Sequence, residues 1–217
     1  MNLIEAKKKA VLETIYTAYA RRLISRTFGR LRISGAEMPR SGQPVIAYMN
    51  HSAWWDAVVP VHLSHDVFRR EIHALMEAEQ IRRYPFFRHL GCFGAEEGGL
   101  NEARAVAGYA VKVLGNGRSP ILWICPQGAL LPSHVPLRFK SGLARIAKTV
   151  PEAVLVPMAF RYQFLKHDKP DCWVRIGEPV ARAEETVPML TRRLEIHLQR
   201  EMDALDDAIL LEASLPV

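Results

Sequence analysis

The pair of residues best suited to acid–base chemistry is His51 and Asp56, in the run Asn50-His51-Ser52-Ala53-Trp54-Trp55-Asp56 that follows the apolar stretch 44–49. A histidine leaving a strand end, with a carboxylate five residues on in the first turn of a helix, brings the two side chains together. Asp56 then accepts from one ring nitrogen and fixes the tautomer, which leaves the other nitrogen as a general base. The sequence has no G-x-S-x-G elbow, so no protein nucleophile accompanies the pair, and the nucleophile must come from a substrate. The same spacing also suits a structural histidine capped by an aspartate, and these residues alone leave both readings open.

Other chemistry-bearing residues are less organised. His62 and His65, with Asp66 adjacent, have a spacing of three and no further ligand pattern, so they read as solvent-facing histidines rather than a metal site. Glu96 and Glu97 are neighbours that point apart on any regular element. Cys92, Cys125 and Cys172 are far apart with no C-x-x-C, which gives neither zinc spacing nor a disulfide framework and suggests a reduced compartment. There is no phosphate-binding loop, since Gly115-x-Gly117 lacks both a third glycine and a following helix. No metal or organic cofactor is implied.

The elements that must position His51 follow from the apolar pattern. Short runs at 31–34, 45–49, 71–75, 121–125, 154–160 and 172–176 read as strands, and 53–63, 102–114, 142–149 and 188–211 as helices. In the last helix Leu190, Leu194, Leu198, Met202, Leu205 and Ile209 form a core stripe. Alternating strands and helices predict a single α/β domain with a mixed, largely parallel sheet flanked by helices, over 31–217. His51 then sits at a strand's C-terminal end, where open α/β sheets place their sites.

Residues 1–30 read as a separate N-terminal amphipathic helical arm, with a helix over 3–28 whose Leu12, Ile15, Tyr19 and Leu23 form the apolar face. Up to position 32 the chain carries eight basic residues against two acidic ones, while the rest balances at 21 and 21. A neutral body with a basic arm argues against a nucleic-acid partner and suits an anionic membrane surface, at about 1 kcal/mol for each Lys or Arg near it. A helix merely docked on its own domain is the competing account. The chain lacks a run of 18 apolar residues and an apolar leader segment, so it reads as a peripheral or monotopic protein on the cytoplasmic face of a membrane.

Taken in order, five segments resemble the glycerolipid acyltransferases, the family that contains 1-acylglycerol-3-phosphate acyltransferase. Asn50-His51 with Asp56 is similar to its N-H-x-x-x-x-D motif, and residues 85–93, Pro-Phe-Phe-Arg-His-Leu-Gly-Cys-Phe, to its second block. Cys125-Pro126-Gln127-Gly128 stands where the family has F-P-E-G. Residues 137–144 resemble the following F-K-x-G segment, and Val156-Pro157-Met158 the closing V-P-V. The resemblance spans 31 to about 180.

It implies an O-acyltransferase. His51 deprotonates a lipid acceptor hydroxyl, which attacks an acyl-CoA or acyl-carrier-protein thioester, and Asp56 orients His51. Asn50, Pro126, Gln127 and Gly128 would shape the acceptor side, with Arg138 and Lys140 as nearby cations. Backbone donors at the glycine-containing loop would serve the developing oxyanion, each worth about 10²- to 10³-fold. The product's return to the bilayer suggests an acyl groove running from His51 towards the arm. The chain departs from the family at two arginines that would bind a glycerol phosphate, replaced by Glu97 and Leu130. Neither can donate bidentate bonds to phosphate, which points to an acceptor without a terminal phosphate monoester: a lysophospholipid with a substituted head group, an amino-lipid or a glycosylated isoprenoid. A silent lipid-binding member of the fold and a thioesterase-like hydrolase are the alternatives.

Overall fold

The computed structural model describes residues 3–96, 98–116 and 118–214. Seven strands form one sheet: β1 (Leu31–Gly35), β2 (Val45–Met49), β3 (Glu71–Leu75), β4 (Cys92–Phe93), β5 (Pro120–Ile124), β6 (Val154–Gln163) and β7 (Asp171–Ile176). They lie in the order β1-β7-β6-β2-β5-β3-β4. Neighbours are parallel except β6 and β7, which are joined by the short segment 164–170. An antiparallel pair accepts such a connection, whereas parallel neighbours require a crossover.

All five residues of β2 are buried, because both faces of the sheet are covered. Val45, Ala47 and Met49 pack into one apolar layer with Ala20, Ile24 and Phe28 from the end of α1 (Ala10–Thr27) and with Val58 and Val59. Ile46 and Tyr48 face the other layer, built from α4 (Leu100–Gly115), α5 (Gly142–Thr149) and α6 (Val187–Ser214). The α6 stripe Leu190, Leu194, Leu198, Met202, Leu205 and Ile209 is buried there as its spacing requires. Each such side chain contributes about 1.5–3 kcal/mol of transfer free energy.

The structure corrects two expectations. The arm does not begin as a helix. Around Ile4 the chain is extended, and Ile4 exchanges main-chain hydrogen bonds of 2.8 and 3.1 Å with Gly94. The Lys7 and Lys9 N–H groups donate to Arg88 and His89 oxygens. This segment pairs beside the short strand β4, whose edge groups would otherwise lack partners. Within α1, Leu12, Ile15 and Tyr19 are exposed, and the docked face is Thr17, Ala20 and Ile24. Its small residues let the helix lie close to the body.

Residues 53–63 do not form one helix either. A 3-10 turn at Trp54–Ala57 leads into the single turn α2 (Val59–His62) and a π turn at Leu63–Val67. Pro60 sits in the first turn of α2, where its missing N–H costs nothing. The helix α3 (Ala78–Arg83) and the 3-10 turn Pro85–Leu90 were not anticipated; both are short and lie in an aromatic-rich stretch without clear periodicity.

Candidate functional site

The site begins where β2 ends. Beyond Met49 the main chain leaves the sheet, and the Asn50 side chain takes over its ladder. Asn50 Nδ2 donates to the Phe160 carbonyl at 3.1 Å, and Asn50 Oδ1 accepts the Phe160 N–H at 2.8 Å. An amide side chain is the one group that can imitate a peptide unit in both directions. Asn50 is buried and does not line the neighbouring cavity. The geometry thus gives it a holding task rather than the acceptor contact expected from sequence.

Freed from the sheet, His51 turns towards Asp56, its Nδ1 2.8 Å from Asp56 Oδ2. The same oxygen accepts the Ser52 and Ala53 N–H groups at 2.8 and 2.9 Å, the reach-back of an acidic residue in a first turn. The other oxygen, Oδ1, accepts the Tyr162 hydroxyl at 2.7 Å. Asp56's side chain is 0% exposed, whereas His51's is 29% exposed. A fully enclosed carboxylate thus carries four donors, while the ring it holds stays open. Tyr162, at the far end of β6, was missed from sequence, and nothing local marks it: it stands 106 residues from its partner.

Burial, reinforced by the charge of Asp56, holds the Tyr162 hydroxyl well above its ordinary ionisation range. Burial first and Asp56 second likewise keep the thiols of Cys125 and Cys172 protonated. Aromatic packing sets the outer wall. Phe28, directly after α1, meets Trp55 edge-on with centroids 4.7 Å apart and stacks on Tyr162 at 5.7 Å. Of the two tryptophans, Trp55 is partly buried in that packing and Trp54 is 59% exposed.

Gln127 reaches the same centre from the loop after β5. Its Oε1 accepts the His51 N–H at 3.1 Å, and the His51 carbonyl accepts the Leu131 N–H at 2.9 Å. Gly128 adopts φ +66°, and a Cβ there would collide with the Lys140 side chain at 2.8–2.9 Å. The positive φ calls for glycine, whereas the flexible end of Lys140 could move aside. The Lys140 N–H donates to the Pro126 carbonyl at 2.8 Å, which closes the loop at its base. Within the loop the Gly128 N–H is committed, closing a turn onto the Cys125 carbonyl at 3.1 Å. The main-chain N–H groups of His51, Ser52 and Ala53 are likewise committed.

A cavity of about 430 Å³ adjoins the His51 ring, within the usual range for a small-molecule site. Its walls are mostly apolar, among them Ile72, Ala74, Leu90, Trp123 and Leu130. Asp56 and Glu77 are the acidic residues lining it, and no Lys or Arg does. It passes β3, β4 and the turn at Pro85–Leu90, against whose main chain the extended segment before α1 pairs, while α1 itself contributes nothing to its lining. Arg138 is exposed and does not line it. Glu97, whose replacement of an arginine entered the reading of the acceptor, lies outside the described residues, and Glu96 pairs with Arg82 at the surface.

The remaining histidines are placed differently. His62 and His65 are partly buried rather than solvent-facing, because α1 lies over them. His62 Nδ1 is 2.7 Å from Asp66 Oδ2, and His65 Nε2 is 3.1 Å from Glu13. The Asp66 carboxyl is held below its usual range chiefly by the Arg21 guanidinium. His73, in mid-β3, is 6% exposed; burial, aided by the Lys8 charge, pushes its pKa down to about 4. Among the described residues no group of three or more His, Cys, Asp or Glu is arranged to hold a metal ion.

A family model described as Acyltransferase matches residues 30–161. Among solved structures, the 1-acyl-sn-glycerophosphate (LPA) acyltransferase PlsC from Thermotoga maritima superposes with a TM-score of 0.63. The identity is 18%, over 89% of this chain and 79% of that one, so the likeness is one of fold. No curated protein matches.

Proposed function

The chain belongs to the acyltransferase family, and from that premise we propose that it moves a fatty acyl group from an acyl thioester to a hydroxyl of a lysophospholipid-like lipid. One observation carries the proposal. The partly open His51 ring, fixed through Nδ1 by an enclosed carboxylate, adjoins an apolar cavity wide enough to take an alkyl chain.

In the proposed reaction Nδ1–H donates to Asp56, and Nε2 takes the proton from the acceptor hydroxyl. The alkoxide oxygen bonds to the thioester carbon, the tetrahedral intermediate collapses and the C–S bond breaks. The imidazolium returns its proton to the leaving thiolate. No acyl-enzyme forms. A positioned base of this kind contributes about 10²- to 10⁴-fold. Asp56 keeps the ring in the required tautomer and stabilises the transient imidazolium.

The acceptor reading rests on charge. Leu130 and Ala129 form part of the cavity wall and Glu77 another part, with no cation lining it, so a phosphate dianion placed there lacks a bidentate partner. Lys140 crosses Gly128 beside it as a single point charge. We therefore assign an acceptor without a terminal phosphate monoester. A membrane is the natural source of such a lipid. The outward face of α1 presents Val11, Ile15 and Tyr19, and Phe86 is exposed beside it, 5.9 Å from Tyr16. Arg22 and Arg26 flank this apolar face. An amphipathic helix of this type lies in the headgroup layer. Among the described residues no helix is long and apolar enough to cross a membrane.

The test is a panel: palmitoyl-CoA or palmitoyl-acyl carrier protein with lysophosphatidate, lysophosphatidylcholine, lysophosphatidylethanolamine or a glycolipid. Thiol release and product mass are followed for the native chain and His51→Ala. Release that needs both an acceptor and His51 is expected, with lysophosphatidate among the poorer acceptors. Lysophosphatidate as the best acceptor overturns the charge argument, and acceptor-independent release identifies a hydrolase.

A further inference from the structure

We infer that Tyr162 is a positioning residue for the His51–Asp56 pair, its hydroxyl fixing the Asp56 carboxylate so that Oδ2 faces His51 Nδ1. The inference rests on the reading of His51 as the base. An aspartate carboxylate's last torsion is broad, and the hydrogen bonds its two oxygens accept narrow it. Oδ2 is engaged by His51, Ser52 and Ala53, but all three lie on one side. On the other side the Tyr162 O–H donates to Oδ1 at 2.7 Å, the one hydrogen bond to that oxygen among the described residues, in a side chain 0% exposed. Without it a carboxylate oxygen would be enclosed with no donor.

Two features suit Tyr162 to this task. Its environment holds the phenol neutral far above the working pH, so it remains a donor throughout. Its ring is stacked on Phe28 with an interplanar angle of 27°, and Phe28 is wedged against Trp55, the residue before Asp56. Tyr162 does not line the cavity, so its influence on the reaction passes through Asp56.

The hydroxyl also has an electrical effect. A donor on Oδ1 draws charge from Oδ2 and loosens the carboxylate's hold on an imidazolium. The other titratable groups facing the pair are the thiols of Cys125 and Cys172, both kept protonated by burial, and Glu77 on the cavity wall, with Lys140 across Gly128.

Tyr162→Phe removes the oxygen and keeps the ring on Phe28, so the variant should fold. With palmitoyl-CoA and the best acceptor of the panel, kcat at neutral pH should fall about tenfold with KM unchanged. The acid limb of the pH–rate profile should move up by about half a pH unit. The His51 Nδ1–H proton resonance should shift, a readout that needs no substrate. A native profile together with an unmoved resonance overturns the positioning role, as does a loss confined to thermal stability. The base reading is judged separately: turnover retained in His51→Ala overturns that reading, while the resonance still decides the role of Tyr162.

Discussion

Two His–Asp pairs lie eleven residues apart in this chain and differ little in contact geometry. His51 Nδ1 is 2.8 Å from Asp56, and His62 Nδ1 is 2.7 Å from Asp66. Distance does not separate them; their surroundings do. Asp56 is enclosed, with donors from two main-chain amides and a phenol, and its histidine adjoins a cavity. Asp66 is 22% exposed, shares its carboxylate with Arg21, and its histidine does not line that cavity. One pair has the surroundings the proposed reaction requires, and the other fastens α1 to the body. A carboxylate close to an imidazole is a common surface contact; a carboxylate that cannot turn, beside a ring that a substrate can reach, is not.

Making the same change in both pairs tests that contrast most directly. Asp56→Asn should lower thiol release by about 10²- to 10⁴-fold, because an amide no longer fixes the tautomer. Comparable losses from Asp56→Asn and Asp66→Asn would dissolve the distinction.

His73 sharpens the comparison from the opposite side, as a histidine that is buried and has no carboxylate closer than Glu71 at 3.7 Å. Its folded pKa of about 4 lies below the ordinary 6.5, so the unfolded chain binds its proton more readily. The stability associated with neutral His73 is complete above pH 6.5 and is lost as pH falls towards 4, by about 3 kcal/mol at most. Urea titrations from pH 7 to pH 4 should show this slope, and His73→Leu should flatten it. An unchanged slope in that variant would place the acid sensitivity elsewhere.

The smallest effect belongs to the fastening pair. Asp66→Asn should leave thiol release within about twofold and cost less than about 1 kcal/mol, as partly exposed ion pairs do. Calorimetry beside the activity assay checks both.

What the sequence made legible was whatever is contiguous. The strand at 45–49 and the N-H-x-x-x-x-D that leaves it carry the candidate dyad within a dozen residues, and the stripe of α6 repeats at helical spacing. The illegible parts depend on distant partners. Tyr162 has meaning only through Asp56, 106 residues away. Residues 3–9 look helical until Gly94, Arg88 and His89 offer main-chain hydrogen bonds that favour an extended path. Which residues of α1 meet the body was not legible, since Thr17, Ala20 and Ile24 are picked out only by the surface they dock against. Asn50 was read as facing a substrate, because a sequence does not show where a strand ends and a side chain replaces it.

That replacement has a consequence for how the molecule breathes. The Phe160 amide is held by a side chain rather than by a neighbouring strand, so it cannot meet solvent unless Asn50 lets go. Since His51 is the next residue, the openings that expose this amide are those in which the proposed base has lost its footing. The rate at which one amide hydrogen exchanges with solvent thus counts the fraction of time the site stands disassembled.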